Sequence, residues 1–148
     1  MLDDLDLKIL RVLQKNGRTK RNELAEEVGL SVPSVSERLK KLEDSKIVEG
    51  YYTKVNRQAF GYDILAFILI VMDSSRHYKD LIKHVEKHPK ILECYSVLGE
   101  GSHLLKVVVN NTESLENLLS EIQTWLGVIS TKTTYVLSTI KETTAINI

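Results

Sequence analysis

The sequence predicts an α+β chain in two parts, a helical N-terminal segment and then a four-stranded antiparallel sheet that carries two helices. Three observations lead there. Two short amphipathic helical patterns between Thr19 and Glu43 are broken at Gly29; the run Ile64 to Met72 is almost continuously apolar and β-favouring; and from Arg76 to Ile140 helix-like and strand-like runs alternate. The expected division is 1–60 and 61–148.

The helical part begins with Leu5, Ile9, Val12 and Leu13 at helical spacing, capped by Asp3 or Asp4 and ending near Asn16 and Gly17. A second helix carries Leu24, Ala25 and Val28, with Thr19 or Asn22 as the expected N-cap. Gly29 stops it, because glycine accepts the left-handed conformation that commonly ends a helix, and Leu30 can fold back onto the core. Ser31 offers a new N-cap, and Pro33 falls in the first turn, where a missing N–H costs little. Val35, Leu39 and Leu42 then follow the i, i+4, i+7 rule of a buried stripe, opposite Ser34, Glu37, Arg38 and Lys41. Beyond it, Ile47 to Val55 is expected to form a short wing or strand bent at Gly50, with Tyr51 and Tyr52 packed beneath it or, as the alternative, touching the DNA backbone.

Two helices joined by a short glycine-containing turn, the second with a basic face, make a helix-turn-helix and point to duplex DNA. An α-helix fits the major groove, where its N-terminal half meets base edges while flanking cations meet phosphates. Ser34, Ser36 and Glu37 are the candidates for base reading. Arg18, Lys20, Arg21, Arg38, Lys40 and Lys41 are the candidates for phosphate contact. The bland alternative is a small helical bundle with a solvated basic face.

In the second part, the strand Ile64 to Met72 precedes a helix over Arg76 to His88, before Pro89, with Leu81, Ile82 and Val85 at helical spacing. Ile91 to Leu98 and His103 to Val109 read as a hairpin joined by Gly99, Glu100, Gly101 and Ser102. Asn111 or Thr112 caps a helix running through Leu126, with Leu115, Leu118, Leu119, Ile122 and Trp125 buried and Gly127 at its end. Val128 to Ile140 is the last expected strand. The order βαββαβ is the split, ferredoxin-like arrangement with both helices on one face of the sheet. Strands such as Leu104 to Val109 are apolar in both alternating positions, so the uncovered face should self-associate.

Lysine plus arginine and aspartate plus glutamate both number 20, so net charge is zero. Residues 1–60 hold twelve basic and ten acidic side chains, and the remainder eight and ten. DNA binding would therefore depend on a local patch doubled by dimerisation, not on a strongly positive domain. The N-terminus shows no basic segment followed by an apolar run, and the longest apolar stretch is too short to span a bilayer, so a cytoplasmic protein without membrane partners is expected. Cys94 is the only cysteine, which excludes an intrachain disulfide or a cysteine-based metal cluster. His84 and His88 are four apart but lack a neighbouring carboxylate motif, so neither a metal nor another cofactor is expected.

The segment Leu2 to Tyr52 closely resembles the N-terminal domain of the Lrp/AsnC family, the feast/famine transcriptional regulators of bacteria and archaea. The resemblance rests on LDDLDLKIL at the start, NGR at Asn16 to Arg18, ELA at Glu23 to Ala25, and GLS followed by ERLKKLE. It implies a winged, three-helix DNA-binding domain, a non-enzymatic regulator of transcription, and dimers that assemble further into octamers or larger rings on pseudo-palindromic sites. One departure is Lys46, where the family usually has glycine before the aliphatic pair Ile47 and Val48. A lysine there must take up a left-handed conformation or change the turn, at roughly 1 to 2 kcal/mol.

The family's amino-acid effector site is built around a loop that typically reads G-D-Y-D, whose second acid holds the effector's ammonium. The matching residues are Gly99, Glu100, Gly101 and Ser102. A hydroxyl at Ser102 cannot replace the charge-assisted bond of a carboxylate, so weaker amino-acid binding or a different effector is implied. His103, Thr131, Thr133 and Thr134 are the further candidates for a pocket; the alternative is that the loop is only a glycine-rich turn and no ligand binds. The rival reading is a sirohaem-decarboxylase-like enzyme on the same architecture; such chemistry needs histidines and arginines around the acetate groups of a tetrapyrrole, and only two arginines, Arg57 and Arg76, lie near or inside the second half, while the basic recognition face is intact.

Overall fold

The computed structural model describes residues 2–148 as two compact units, one running to Lys54 and rejoined by residues 141–148, the other spanning Val55–Ile140. In the first, α1 (Asp4–Lys15) opens on a reciprocal capping box. Asp3 Oδ1 accepts the Asp6 N–H at 2.9 Å and Asp6 Oδ2 accepts the Asp3 N–H at 3.1 Å, which satisfies two otherwise orphan donors.

The second helix, α2 (Arg21–Val28), starts from Lys20 rather than from Thr19 or Asn22. Lysine has no acceptor with which to cap a helix. Instead, Glu23 reaches back to the Lys20 N–H at 3.3 Å. Gly29 ends the helix at φ 71°, and the Leu30 N–H bonds to the Ala25 carbonyl, as the sequence requires. Ser31 Oγ then accepts the Ser34 N–H and starts α3 (Val32–Asp44). Ile9, Leu24, Val35, Leu39 and Leu42 form the buried centre of this unit.

Lys46 is the only non-glycine with positive φ among the described residues, at 60°. The conformation lets the Ile47 and Val48 N–H groups fold back to the Leu42 carbonyl and close the end of α3. Lys46→Gly removes the left-handed penalty but adds unfolded-chain entropy, so a net gain of about 0.5 to 1 kcal/mol is expected. Chemical denaturation should show a higher midpoint with an unchanged slope.

The expected wing strand is absent: residues 47–56 have no regular structure. A strand needs a partner ladder, and no described segment supplies one here. Tyr51 instead donates its hydroxyl hydrogen to Glu43 at 3.0 Å, and Tyr52 is 88% exposed rather than packed beneath a wing. The unit is completed from the far end of the chain. The Gln14 side-chain amide accepts the Ile146 N–H at 2.7 Å and donates to the Ile146 carbonyl at 3.0 Å, Arg11 Nε donates to the Ile148 carbonyl at 2.7 Å, and Ile148 packs against the helical core. Residues 141–148 therefore belong with the first unit and not with the second, where the boundary at 60/61 had put them.

The second unit contains β1 (Ile64–Met72), α4 (Tyr78–Lys87), β2 (Ile91–Ser96), β3 (His103–Val109), α5 (Thr112–Gln123) and β4 (Val128–Tyr135). The sheet order is β2-β3-β1-β4, antiparallel throughout. This is the expected βαββαβ arrangement. Ile64, Ala66, Ile68 and Ile70 of β1 and Leu105, Val107 and Val109 of β3 meet Leu81 of α4 and Leu118 and Ile122 of α5, with Trp125 just beyond. Strand alternation turns Leu65, Phe67, Leu69, Val71, Leu104 and Val108 to the other face. Leu65 and Val108 are buried, while Phe67, Leu69, Val71 and Leu104 are only partly covered.

Four element ends differ from expectation. Strand β2 stops at Ser96, not Leu98. Strand β4 stops at Tyr135, not Ile140, because its neighbour β1 begins at Ile64 and the Val136 N–H makes the last bond, to the Leu65 carbonyl. Residues Ser75–His77 form a 3₁₀ turn before α4, and Ile82 lies exposed while Leu81 faces the core and Val85 packs beside it. After α5, Trp125 sits in the turn that Gly127 closes at φ 86°.

Candidate functional site

The buried stripe of α3 fixes what the helix presents outward. With Val35, Leu39 and Leu42 inside, a rotation of about 100° per residue puts Pro33, Glu37, Lys40 and Lys41 on the opposite side. Glu37 and Lys41 pair at 2.8 Å, one turn apart, and the lysine holds the Glu37 carboxyl below its ordinary range. Among the described residues Lys40 is exposed without an ion-pair partner, and so are Arg18, Lys20 and Arg21 around the start of α2. Ser34 bonds to the Ser31 hydroxyl at 2.8 Å, which engages it in the cap, and Ser36 is half-buried. The arrangement is a helix with polar side chains along its outward face, accompanied by four cations that a polyanion would not have to strip from carboxylates.

Arg38, expected among the phosphate contacts, is engaged by two carboxylates. Its Nη1 lies 2.7 Å from Asp3 Oδ2 and 2.7 Å from Asp6 Oδ1, and the side chain is 27% exposed. Hydrogen bonds to Asp6 and then Asp3 raise the Arg38 pKa further, while the Asp6 N–H and the guanidinium lower that of Asp3. Two carboxylates on one guanidinium leave the group with a net negative charge, which weakens its attraction for a phosphate. The sequence marks Asp3 as a cap alone and gives no sign that α1 and α3 converge.

The loop between β2 and β3 is tightly built. Gly99 has φ 140°, and a Cβ on Gly101 would lie 2.6 Å from Leu69 Cγ and 2.8 Å from the Ile70 carbonyl oxygen. The Ser102 N–H bonds to that same carbonyl at 2.9 Å, and its hydroxyl bonds to His103 Nδ1 at 2.8 Å. Glu100 is exposed and paired with Lys132 of β4 at 2.7 Å, which lowers its pKa. No motif in the sequence singles out Lys132.

The other candidates for a pocket are divided between the two sides of the sheet. His103 is 3% exposed and meets the Tyr78 ring edge-on at 4.7 Å, on the side covered by helices. Thr131 and Thr133 stand opposite Ile70 and Ile68 and share that side, whereas Thr134 stands opposite Phe67 on the other. Within one chain these residues do not line a common cavity.

Burial lowers the pKa of His103 below its ordinary 6.5. The unfolded chain therefore takes up a proton before the folded one does, so this histidine makes stability fall as pH drops through 6.5. Thermal melts between pH 7.5 and 5 should show a steeper decline for the native sequence than for His103→Gln.

His84 and His88 have structural partners: His84 stacks on Trp125 at 4.8 Å and His88 Nε2 lies 3.1 Å from Glu121. Cys94 is half-buried among core side chains, and burial pushes its thiol up. Among the described residues no three His, Cys, Asp or Glu side chains gather into a metal-binding group, and no helix is long and apolar enough to cross a membrane.

Comparison with known proteins covers almost the whole chain. A family model described as winged helix-turn-helix DNA-binding matches residues 2–49, and one described as Lrp/AsnC ligand binding domain matches residues 65–146. The HTH-type transcriptional regulator FL11 of Pyrococcus furiosus is 37% identical over 144 residues, 97% of this chain and 95% of its own. LrpA of Mycobacterium tuberculosis is 37% identical over 138 residues, 93% and 91% of the two chains. Among solved structures, a transcriptional regulator from Neisseria meningitidis in complex with L-Met superposes with TM-score 0.94 at 33% identity, over 99% of this chain and 97% of that one. AsnC of E. coli superposes with TM-score 0.90 at 31% identity, over 98% of each. These relatives are transcriptional regulators, and nothing in them favours the tetrapyrrole enzyme.

Proposed function

The chain belongs to the Lrp/AsnC family of DNA-binding transcriptional regulators with a ligand-binding domain, and on that premise we propose that it reads pseudo-palindromic operators as a dimer or larger ring. The observation that carries this reading is the outward face of α3, Pro33, Glu37, Lys40 and Lys41, flanked by Arg18, Lys20 and Arg21, cations without an ion-pair partner among the described residues. Lys40, Arg18, Lys20 and Arg21 neutralise phosphates and set the orientation. Glu37 and the small serines meet base edges.

In this reading the unit that runs to Lys54 and is rejoined by residues 141–148 holds DNA, and the unit Val55–Ile140 assembles the protein and receives the effector. The partly covered sheet face of Phe67, Leu69, Val71 and Leu104 meets the same face of a second copy, which brings two recognition helices to two half-sites. The effector is an amino acid or similar small molecule at the Gly99 to His103 loop. Support comes from the related regulator held with L-methionine. Glu100 is the only carboxylate of this loop, and an effector's ammonium group would take the place at it that Lys132 holds at 2.7 Å.

The test is selection of bound fragments from random duplex DNA at near-physiological salt, with and without L-methionine and other amino acids. Enrichment of a repeated half-site with steeply salt-dependent affinity is the expected result. A shift in affinity on adding one amino acid identifies the effector. No enrichment at low salt would defeat the reading.

A further inference from the structure

The capping box of α1 and the bonds of Arg38 are one network. Asp3 Oδ1 accepts both the Asp6 N–H at 2.9 Å and Arg38 Nη1 at 2.9 Å, while Asp3 Oδ2 and Asp6 Oδ1 each lie 2.7 Å from the same nitrogen. All three are charge-assisted distances. The Asp6 side chain is only 14% exposed, so little water competes for it. The network joins the first turn of α1 to the middle of α3 across more than thirty residues of sequence.

What the apolar core leaves undetermined explains why this matters. Val35, Leu39 and Leu42 set how deeply α3 sits, but hydrophobic burial is non-directional and resists rolling of a helix about its axis only weakly. A flank side chain held at three short distances does fix the roll. A change in roll would swing Glu37, Lys40 and Lys41 together.

We propose that Arg38, held by Asp3 and Asp6, is a positioning residue that sets the roll of the recognition helix, and does not itself touch phosphate. The assignment rests on the DNA-binding reading. It makes the two acids at the N-terminus of α1 favourable to DNA binding, although by charge alone they would oppose it.

That reversal of sign supplies the experiment. The probe is a duplex enriched by the unaltered protein from a random pool, titrated across a range of salt with Arg38→Ala, Asp3→Asn, Asp6→Asn and the double variant of Arg38 and Asp6. Each single change is expected to weaken binding by about tenfold. The slope of log affinity against log salt should stay as in the unaltered protein, and the double variant should be no worse than its weaker parent. Tighter binding by Asp3→Asn or Asp6→Asn would mean that a released Arg38 reaches phosphate, and would overturn the assignment. So would a salt slope shallower by about 0.9 in Arg38→Ala, the signature of one fewer neutralised phosphate. Should Arg38→Ala fail to keep its helical signal, the aspartate variants decide by the direction of their effect, and affinity unchanged in both counts against the proposal. If the unaltered protein enriches no duplex, the DNA-binding reading fails first, and the role of Arg38 falls with it.

Discussion

If the sheet face pairs two copies as proposed, Leu104→Glu should yield monomers and weaken operator binding by a factor on the order of 10² to 10⁴, while the second unit stays folded. Leu104 lies on the helix-free side of the sheet, opposite Leu69 on β1 and Tyr95 on β2. In one chain it is partly exposed, so a carboxylate there can remain hydrated. Pressed against a second sheet it would lose that water without gaining a cation from its direct cross-strand neighbours, at a cost of several kcal/mol. The loss in DNA affinity follows because binding of the second half-site would no longer be intramolecular. Sedimentation velocity and a titration on a two-site duplex measure the two effects. A variant of unchanged size would remove the sheet face from the proposed interface.

The largest effect on stability is expected at Gly127. Gly127→Ala forces a residue with a Cβ into φ 86°, costing roughly 1 to 2 kcal/mol. The new Cβ would also lie 2.6 Å from both Cβ and Nδ1 of His77. The base of a side chain cannot swing aside as a flexible tip can, so the backbone must shift, adding roughly 1 to 3 kcal/mol. His77 is in turn bonded to Asp73 at 2.9 Å, and the Asp73 N–H to the Gly127 carbonyl at 2.8 Å, so the turn and the start of α4 move as one. Chemical denaturation should show a loss of about 2 to 5 kcal/mol. A loss under about 1 kcal/mol would show that this junction is looser than its short distances indicate.

The fold was legible wherever local chemistry and periodicity agreed. Gly29, Ser31 and Pro33 mark the turn before α3 by backbone requirements alone, and the bounds of β1 and β3 coincide with their apolar runs. Element ends were less legible because partners set them. Nothing in the β-favouring residues after Tyr135 says that β1 has already ended, and nothing in Ile47 to Val55 says that no second strand will come to meet it. The site divides in the same way. Outward positions on α3 follow from its buried stripe, and the opposite facing of Thr134 relative to Thr131 and Thr133 follows from strand parity, a signal that the sequence does contain. The engagement of Arg38 by Asp3 and Asp6, or of Glu100 by Lys132, depends on side chains 32 to 35 residues apart and has no local signature.

The return of residues 141–148 to α1 has a consequence for the order in which the protein can be made. The helical unit is encoded first, yet Arg11 and Gln14 receive their backbone partners and the core receives Ile148 only after the whole of the sheet unit has been synthesised. A nascent chain therefore carries an incomplete recognition domain past the point at which most N-terminal domains have closed. Maturation of the part that reads DNA is timed by residues that leave the ribosome after the sheet.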